Sequence, residues 1–333
     1  MKRYILITML FSTIFGAVAQ ESQEEFKPVR RVFVEEYTGT WCGNCPRGHV
    51  AMEWIAKDYG DRQISVSYHV DDALDVGGSY FYGVNAVPMG SVDRWSLVDP
   101  YYGTPGFPTH LGIYYDIDRA LEEEAICSID IEVEEIGDKA KVTPHIRFIK
   151  DEDHRKYQLG YVLKADSTIS IYPQENYYSG VEEAMGTPLE EVAKWPKVKR
   201  GLSYHDIAID VKGYKGIEGS LPSTIQAGVD YTPSFTIDFT DRVMSFYKSQ
   251  MTIVAFVVNK STGRILNANT YYFGDHLSSE AAVDNLVVEA EVVAREYYDL
   301  SGRRIESPGV GSGLIICRER LSDGSTRSVK LIR

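Results

Sequence analysis

Cysteine is scarce in this chain. Its 333 residues include only four cysteines, at positions 42, 45, 127 and 317. Small exported domains that cannot bury a sufficient core depend on dense disulfides, and this composition excludes that class. Four cysteines allow three pairings. We favour the close pair Cys42–Cys45, with a bridge between Cys127 and Cys317 as an optional second disulfide.

Long hydrophobic runs are also missing, except at the start of the chain. Lys2 and Arg3 precede an apolar run from Tyr4 to Phe15, and Ala17-Val18-Ala19 resembles a cleavage site. The run is too short to span a bilayer comfortably. We therefore predict a signal peptide over residues 1–19, with no lipid-anchored cysteine at the cut. The mature chain is expected to have no transmembrane helix.

Positive charge is in short supply. Lysine and arginine number 35 against 48 aspartates and glutamates, and the formal net charge is −13. Loss of Lys2 and Arg3 with the signal peptide lowers the net charge to −15. A field of this sign disfavours nucleic acid and anionic lipid as partners.

Several catalytic and metal-binding patterns are absent. A zinc site needs two further ligands at suitable spacing, and the sequence has no second Cys-x-x-Cys and no His-x₃₋₅-His. The glycine-rich stretch 309–313 lacks the lysine of a phosphate loop. His110 and His205 have no serine or aspartate partner at a spacing that indicates a hydrolase triad. We therefore predict no metal and no cofactor other than a redox-active disulfide.

The first part of the sequence has an α/β pattern. "RRVFVEEY" (30–37) predicts a strand, Val50, Trp54 and Ile55 lie on one helical stripe that ends at Gly60, and "RQISVSYHV" predicts a second strand. His69, at the end of that second strand, is expected near the cysteine motif.

From Cys127 onward the sequence pattern changes to alternating apolar and polar residues. Tyr157, Leu159, Tyr161 and Leu163, for example, fall on one face of a strand. Several such strands without helices between them predict an antiparallel β-sandwich over residues 127–274, interrupted by a short helical or irregular insertion at 181–198. A linker (275–290) and a small all-β module (291–333) are predicted to follow.

The stretch "TWCGNCPRG" (40–48) has the chemistry of thiol–disulfide exchange. A thiol at a helix N-terminus meets unsatisfied N–H groups and the helix dipole, so the pKa of Cys42 is expected to fall below the usual 8.5 or so. Cys45, one turn later, would resolve a mixed disulfide. A static structural disulfide is the alternative, although so small a loop constrains the unfolded chain little.

"VFVEEYTGTWCGNCPRG" followed by "AVPMG" (86–90) resembles the thioredoxin superfamily over residues 28–125. The resemblance implies an α/β thioredoxin-like domain with a cis Val87–Pro88 bond facing Cys42. It also implies that the backbone of Val87 and the ring of Trp41 contact a substrate. Glu36 takes the place of the buried acid that deprotonates the resolving thiol, whereas Glu35 is expected to face solvent. Gly43-Asn44 and Met89 depart from the common pattern, which leaves the redox direction open.

The whole chain is also similar to the 28-kDa outer-membrane-protein-related family of exported envelope proteins. The motifs that carry this resemblance are "YQLGYVLKAD", "QENYYSG", "SYHDIAI", "TIQAGVDYTPSFTIDF" and "IVAFVVNKSTGRILNA". The tail "EYYDLSGRRI…GSGLIICRE…SVKLIR", within residues 291–333, resembles C-terminal modules of proteins exported by type IX secretion or related surface-protein tails. The alternative is a β cap that stabilises the sandwich. These likenesses imply a periplasmic, outer-membrane or cell-surface location, and contact of the tail with secretion machinery.

Two functions are expected from these observations. The first is an envelope thiol–disulfide oxidoreductase, with Cys42 as nucleophile, acting on protein thiols or disulfides of clients and recharged by a redox partner. The second is a surface binding or adhesion protein, or a structural protein associated with the outer membrane, that uses the same scaffold with a static disulfide. The acidity and accessibility of Cys42 discriminate between them.

Overall fold

The computed structural model describes residues 27–77, 84–106, 110–152, 157–169, 172–241, 244, 248–274, 292–298, 303–305, 314–321 and 326–332. The predicted signal peptide and linker lie outside the described residues. The chain divides into two compact units, Met1–Asp275 and His276–Arg333. The finer domain boundaries at 28–125, 127–274 and 291–333 stay predictions.

The first unit is built on one eight-stranded sheet. Its strands, in spatial order, are β16 (Ile265–Tyr272), β15 (Met251–Asn259), β7 (Tyr157–Ala165), β12 (Ile207–Lys212), β2 (Gln63–His69), β1 (Val32–Thr38), β3 (Met89–Val92) and β4 (Leu97–Val98). The pairs β1–β2 and β2–β12 are parallel and the others are antiparallel. The sheet is therefore mixed.

A second sheet packs against one face of the first. It consists of β5 (Cys127–Ile136), β6 (Lys139–Phe148), β13 (Asp230–Tyr231) and β14 (Phe235–Asp238), with β6 pairing all three others. Apolar side chains of β5, β6 and β14 meet those of β7 and β15 in two buried clusters. Two short ribbons complete the strands of this unit: β8 (Thr168–Ile169) with β11 (Ser203–Tyr204), and β9 (Gln174–Glu175) with β10 (Val198–Lys199).

Three α-helices occur in the described part of the chain. They are α1 (Pro46–Tyr59), α2 (Ile113–Leu121) and α3 (Glu190–Lys194), accompanied by 3₁₀ turns at Gly60–Arg62, Glu182–Ala184 and Lys248–Gln250. Helices α1 and α2 pack side chains such as Ile55 and Ile117 against Val32 and Val34 of β1. Within the described residues, none of the helices has the length and hydropathy needed to cross a bilayer.

The predicted fold class, an α/β thioredoxin-like domain followed by a separate antiparallel sandwich and a small β module, is wrong. The part of the chain that the structure describes is mostly β, and its large mixed sheet is not a clear thioredoxin fold. That sheet contains strands from both segments, because Ser67 of β2 pairs with Ile207 of β12. Joining the two sets of strands covers edges that two separate sheets would leave exposed.

The second unit has one four-stranded antiparallel sheet. Its order is β18 (Arg304–Ile305), β17 (Val292–Tyr298), β19 (Leu314–Leu321) and β20 (Thr326–Ile332). Cys317 lies on β19, but its side chain is outside what the structure describes. The structure does not test the role of this unit as a sorting signal, which stays a prediction.

Candidate redox site

The cysteine motif connects the end of β1 to the start of α1. Cys42 and Cys45 form a disulfide with their Cα atoms 5.4 Å apart. Cys45 is the N-cap residue of α1 and Pro46 occupies the first helical turn, where a missing N–H is tolerated. Cys42 is 6% exposed and Cys45 is fully buried. Cys42 is therefore the sulfur nearer to solvent, as a nucleophile must be.

Val87 and Pro88 lie beside this disulfide. The Val87–Pro88 peptide bond is cis. The carbonyl oxygen of Val87 is 3.5 Å from Sγ of Cys42. In the disulfide Sγ has no hydrogen to donate, so this contact becomes a hydrogen bond only when Cys42 is a protonated thiol. The structure thus brings together three of the residues that the resemblance selected.

Trp41 covers the motif from the solvent side. Its ring is 48% exposed, and its Nε1–H donates a hydrogen bond of 2.9 Å to the carbonyl oxygen of Val70. Thr40, next to it, donates its backbone N–H to Oδ2 of Asp72 at 2.8 Å. These bonds fix the loop before Cys42 and leave a large aromatic surface beside the disulfide.

Glu36 is buried on β1 with one oxygen satisfied and one not. Oε2 accepts a 2.9 Å hydrogen bond from the hydroxyl of Ser67, whereas Oε1 is buried without a hydrogen-bond partner. Oε1 faces the first turn of α1, because a Cβ placed on Gly48 would lie 2.2 Å from it. The backbone N–H of Gly48 donates to the carbonyl of Cys45 at 2.8 Å. The carboxylate therefore packs against the turn that begins at Cys45.

His49, on the same turn, faces the open oxygen of Glu36. Its Nδ1 is 3.7 Å from Oε1 of Glu36, and its Nε2 is 3.4 Å from Oε1 of Gln174. Burial disfavours charge on the imidazole, but attraction to the Glu36 carboxylate outweighs it, so the pKa of His49 lies above its ordinary value. Sequence analysis missed this residue, although its position four after Cys45 places it on the same face of α1.

Gln174 holds the cysteine loop from a distant part of the chain. Its Nε2 donates to the carbonyl of Cys42 at 2.9 Å, and its Oε1 accepts from the hydroxyl of Tyr204 at 3.1 Å. The segment 174–177 continues this contact: the N–H groups of Glu175 and Tyr177 bond to the carbonyls of Thr40 and Gly43, both at 2.8 Å. These residues belong to "QENYYSG", a motif noted for family resemblance alone.

Tyr177 explains why residue 43 is glycine. A Cβ at Gly43 would lie 2.3 Å from the ring of Tyr177. That ring is 66% exposed and stands over the loop between the two cysteines. Segment 174–177 consequently covers one side of the disulfide and reduces the exposure of Cys42.

His69 lies close to the cysteine loop, as expected, but is tied to an aspartate. Its Nδ1 is 2.7 Å from Oδ2 of Asp72, and its ring meets that of Tyr204 edge to face at 5.1 Å. Burial raises the pKa of Asp72, but hydrogen bonds from His69 and the backbone outweigh it, so the net shift is downward. His69 thus braces the loop through the Asp72–Thr40 bond.

Glu35 does not face solvent, contrary to expectation. It is fully buried, and both of its oxygens accept hydrogen bonds from Arg94, at 2.7 and 2.9 Å. Ser91 adds a 3.0 Å bond, and the guanidinium stacks 3.7 Å from the ring centre of Tyr214. The reason is that the sheet is covered on both faces, so both neighbouring carboxylates of β1 are buried.

Cys127 plays no part in this site. It is a free, fully buried thiol in the core between the two sheets, and burial raises its pKa to about 12. Such a thiol forms almost no thiolate near neutral pH. The side chain of Cys317, its optional partner, lies outside the described residues.

A cleft of about 730 Å³ borders the site on the Glu36 side. Its lining includes Glu36, His49, Ser67, Tyr204 and His205. Of the five, His205 is the exposed one, with a side chain 53% accessible. We refer to this space as the Glu36 cleft; Glu36 itself is fully buried in its wall.

No family model matches the chain, and no curated protein matches it. Among solved structures, HBP35 of Porphyromonas gingivalis is 14% identical, with coverage of 92% of this chain and 99% of that one and a TM-score of 0.48. A structural-genomics protein from Agrobacterium tumefaciens is 14% identical, covering 75% and 97%, with a TM-score of 0.44.

A third solved structure is a domain of the outer membrane lipoprotein Omp28 from P. gingivalis. It is 15% identical, covers 45% of this chain and 89% of that one, and has a TM-score of 0.25. At these identities and TM-scores, membership of either family stays a prediction.

Proposed function

We propose that this protein is an exported thiol–disulfide oxidoreductase in which Cys42 attacks and Cys45 resolves. The observation that carries the proposal is the pairing of an outer sulfur, Cys42, at the Val87 carbonyl of a cis-proline turn with an inner sulfur, Cys45, at the N-cap of α1. Glu36, buried beside the first turn of α1, serves as the proton acceptor for Cys45.

The exchange proceeds in two balanced steps, written here for reduction of a client. The Cys42 thiolate attacks a client disulfide, a mixed disulfide forms, and one client thiolate leaves. Cys45 then loses its proton, attacks Sγ of Cys42, and releases the second client thiolate. Oxidation of a client dithiol follows the same steps in reverse.

The expected substrates are protein thiols or disulfides of the cell envelope, with a separate redox partner that recharges the Cys42–Cys45 pair. The N-terminal pattern of residues 1–19 supports export to the periplasm, outer membrane or cell surface. The tail, 291–333, is proposed to engage secretion machinery. The exposed ring of Trp41 and the backbone of Val87 supply the surface beside Cys42 that a client strand would meet.

Trapping of the mixed disulfide tests this function. Purified Cys45→Ala protein, mixed with glutathione disulfide, should accumulate one glutathione on Cys42, detected by mass spectrometry. Wild-type protein should pass through that species to the Cys42–Cys45 disulfide. The Cys42→Ala protein, as the matched control, should form no such intermediate, and equal labelling of both variants would contradict the assignment.

One observation favours the alternative, a binding or adhesion protein with a static disulfide. Segment 174–177 covers one side of the motif, and Cys42 is only 6% exposed. A scaffold protein needs neither an accessible sulfur nor a lowered thiol pKa. The reduction potential of the pair separates the two functions, because a structural disulfide is far harder to reduce.

A further inference from the structure

Glu36 lacks an obvious route by which to lose a proton. Oε2 already accepts a hydrogen bond from Ser67, and Oε1, which faces the turn of Cys45, has no hydrogen-bond partner. A buried carboxylate that takes a proton from a thiol in each cycle must pass it on to water. The question is which neighbouring group can carry it.

Among the described residues, His49 makes the ion-pair contact with Glu36. Its Nδ1 is 3.7 Å from the unpartnered Oε1, and both residues line the Glu36 cleft. The backbone N–H of His49 also bonds to the carbonyl of Cys45 at 3.3 Å, so the relative positions of the two residues are set by one helical turn. An imidazole at this point lies between the acid and cleft water.

We propose that His49 is a proton-relay residue, which returns to cleft water the proton that Glu36 takes from Cys45. The inference rests on the proposed function, since it concerns the resolving step of that exchange. In this step the thiol proton of Cys45 passes to Glu36 as the new S–S bond forms with Cys42. Nδ1 of His49 then accepts that proton, which restores the carboxylate, and the imidazolium returns to its neutral state by giving up this proton to cleft water while Nε2–H keeps its contact with Gln174.

The surroundings of His49 support a group that changes charge. Glu36 faces it from β1, Glu53 from α1, Gln174 from β9 and the Tyr204 ring from β11. Burial opposes protonation, the attraction of Glu36 favours it, and the net effect is a raised pKa. Gln174 holds Nε2 through its carbonyl oxygen and bonds to the Cys42 carbonyl through its amide. This orients the ring with respect to the loop.

Single-turnover oxidation of the reduced protein by glutathione disulfide tests the relay. Rapid acid quenching and mass spectrometry resolve the two steps, attack by Cys42 and resolution by Cys45, from pH 5 to 9. For His49→Gln we expect resolution about tenfold slower, with a flattened pH profile, and an unchanged first step. His205→Gln, which alters an exposed histidine of the same cleft, is the matched control and should behave as wild type.

A second variant tests whether the slow step comes from a structural defect or from loss of the imidazole. His49→Ala suits a helical position and should show the same slow step, and added imidazole should accelerate resolution in this variant but not in wild type. If His49→Gln resolves the mixed disulfide at the wild-type rate and with the wild-type pH profile, while Glu36→Gln remains slow, the relay is overturned. The proposed function then stays intact. Absence of any mixed disulfide in the wild type would remove both.

Discussion

Glu35 and Glu36 are neighbours on β1, equally buried, and their surroundings differ sharply. Glu35 accepts hydrogen bonds from a serine hydroxyl and from a bidentate guanidinium that itself stacks on a tyrosine ring. Glu36, on the other face, has one serine, one open oxygen, a histidine at 3.7 Å and a cleft. A fully compensated charge stabilises a structure, whereas a partly compensated charge beside an exit to water can move protons.

The largest expected effect is on stability and comes from removing the ion-pair partner of Glu35. Arg94→Met should lower the free energy of unfolding by about 3–5 kcal/mol, because it leaves a buried carboxylate without its partner. Guanidinium unfolding measures this change. The double variant with Glu35→Met should recover most of the loss, since the uncompensated charge is gone. A loss below about 1 kcal/mol in the single variant would mean that Glu35 reaches water.

Substitution of Glu36 should instead change the rate of thiol–disulfide exchange. Glu36→Gln should slow the Cys45 step roughly a hundredfold, the scale of a lost general base. Single-turnover kinetics with glutathione disulfide measures the effect, and Glu35→Gln, compared on its folded fraction, is the control that should resolve at the wild-type rate. Equal slowing in both variants would remove the distinction between the two carboxylates.

A substitution at Gly48 tests the position of the Glu36 carboxylate through packing. Alanine in place of a helical glycine ordinarily stabilises by about 1 kcal/mol. Here the new Cβ would lie 2.2 Å from Oε1 of Glu36, so Gly48→Ala should instead destabilise the protein by about 1–3 kcal/mol. In a Glu36→Ala background, thermal or denaturant unfolding should show the ordinary stabilisation. A stabilising Gly48→Ala in the wild type would place the carboxylate elsewhere.

The smallest expected effect is a pH dependence of stability. The pKa of His49 is raised in the folded protein above the unfolded value of about 6.5. Its stabilising contribution should be complete below that pH and be lost as the pH rises through the folded pKa. The stability difference between wild type and His49→Gln should therefore shrink from pH 5.5 to pH 9. A difference that grows over this range would contradict the Glu36–His49 interaction.

The placement of the motif residues around the cysteines was predictable from the sequence to a useful extent. The Cys42–Cys45 pair, the turn at Pro88 and an acid at position 36 each depend on a short motif, and the structure places them around one loop. The strands after Cys127 are also present, because alternation of apolar and polar residues reports local geometry.

Pairing between distant segments was not predictable. Nothing in the alternation of "SVSYHV" or "HDIAI" indicates that Ser67 and Ile207 meet, so the predicted fold class missed the continuous mixed sheet that both strands share. The same limitation hid Gln174, whose contact with Cys42 joins residues 132 positions apart. The exposure of Glu35 was predicted wrongly because alternation shows on which side of a strand a residue lies. It does not show whether other elements cover that side.

The reduction potential of the Cys42–Cys45 pair, measured against glutathione together with the alkylation rate of Cys42 across pH, tests the central claim most directly. The proposed oxidoreductase predicts a potential of roughly −120 to −270 mV, and a Cys42 pKa clearly below about 8.5. A potential below about −300 mV with slow alkylation at every pH would contradict it, and would identify the disulfide as a static part of a binding scaffold.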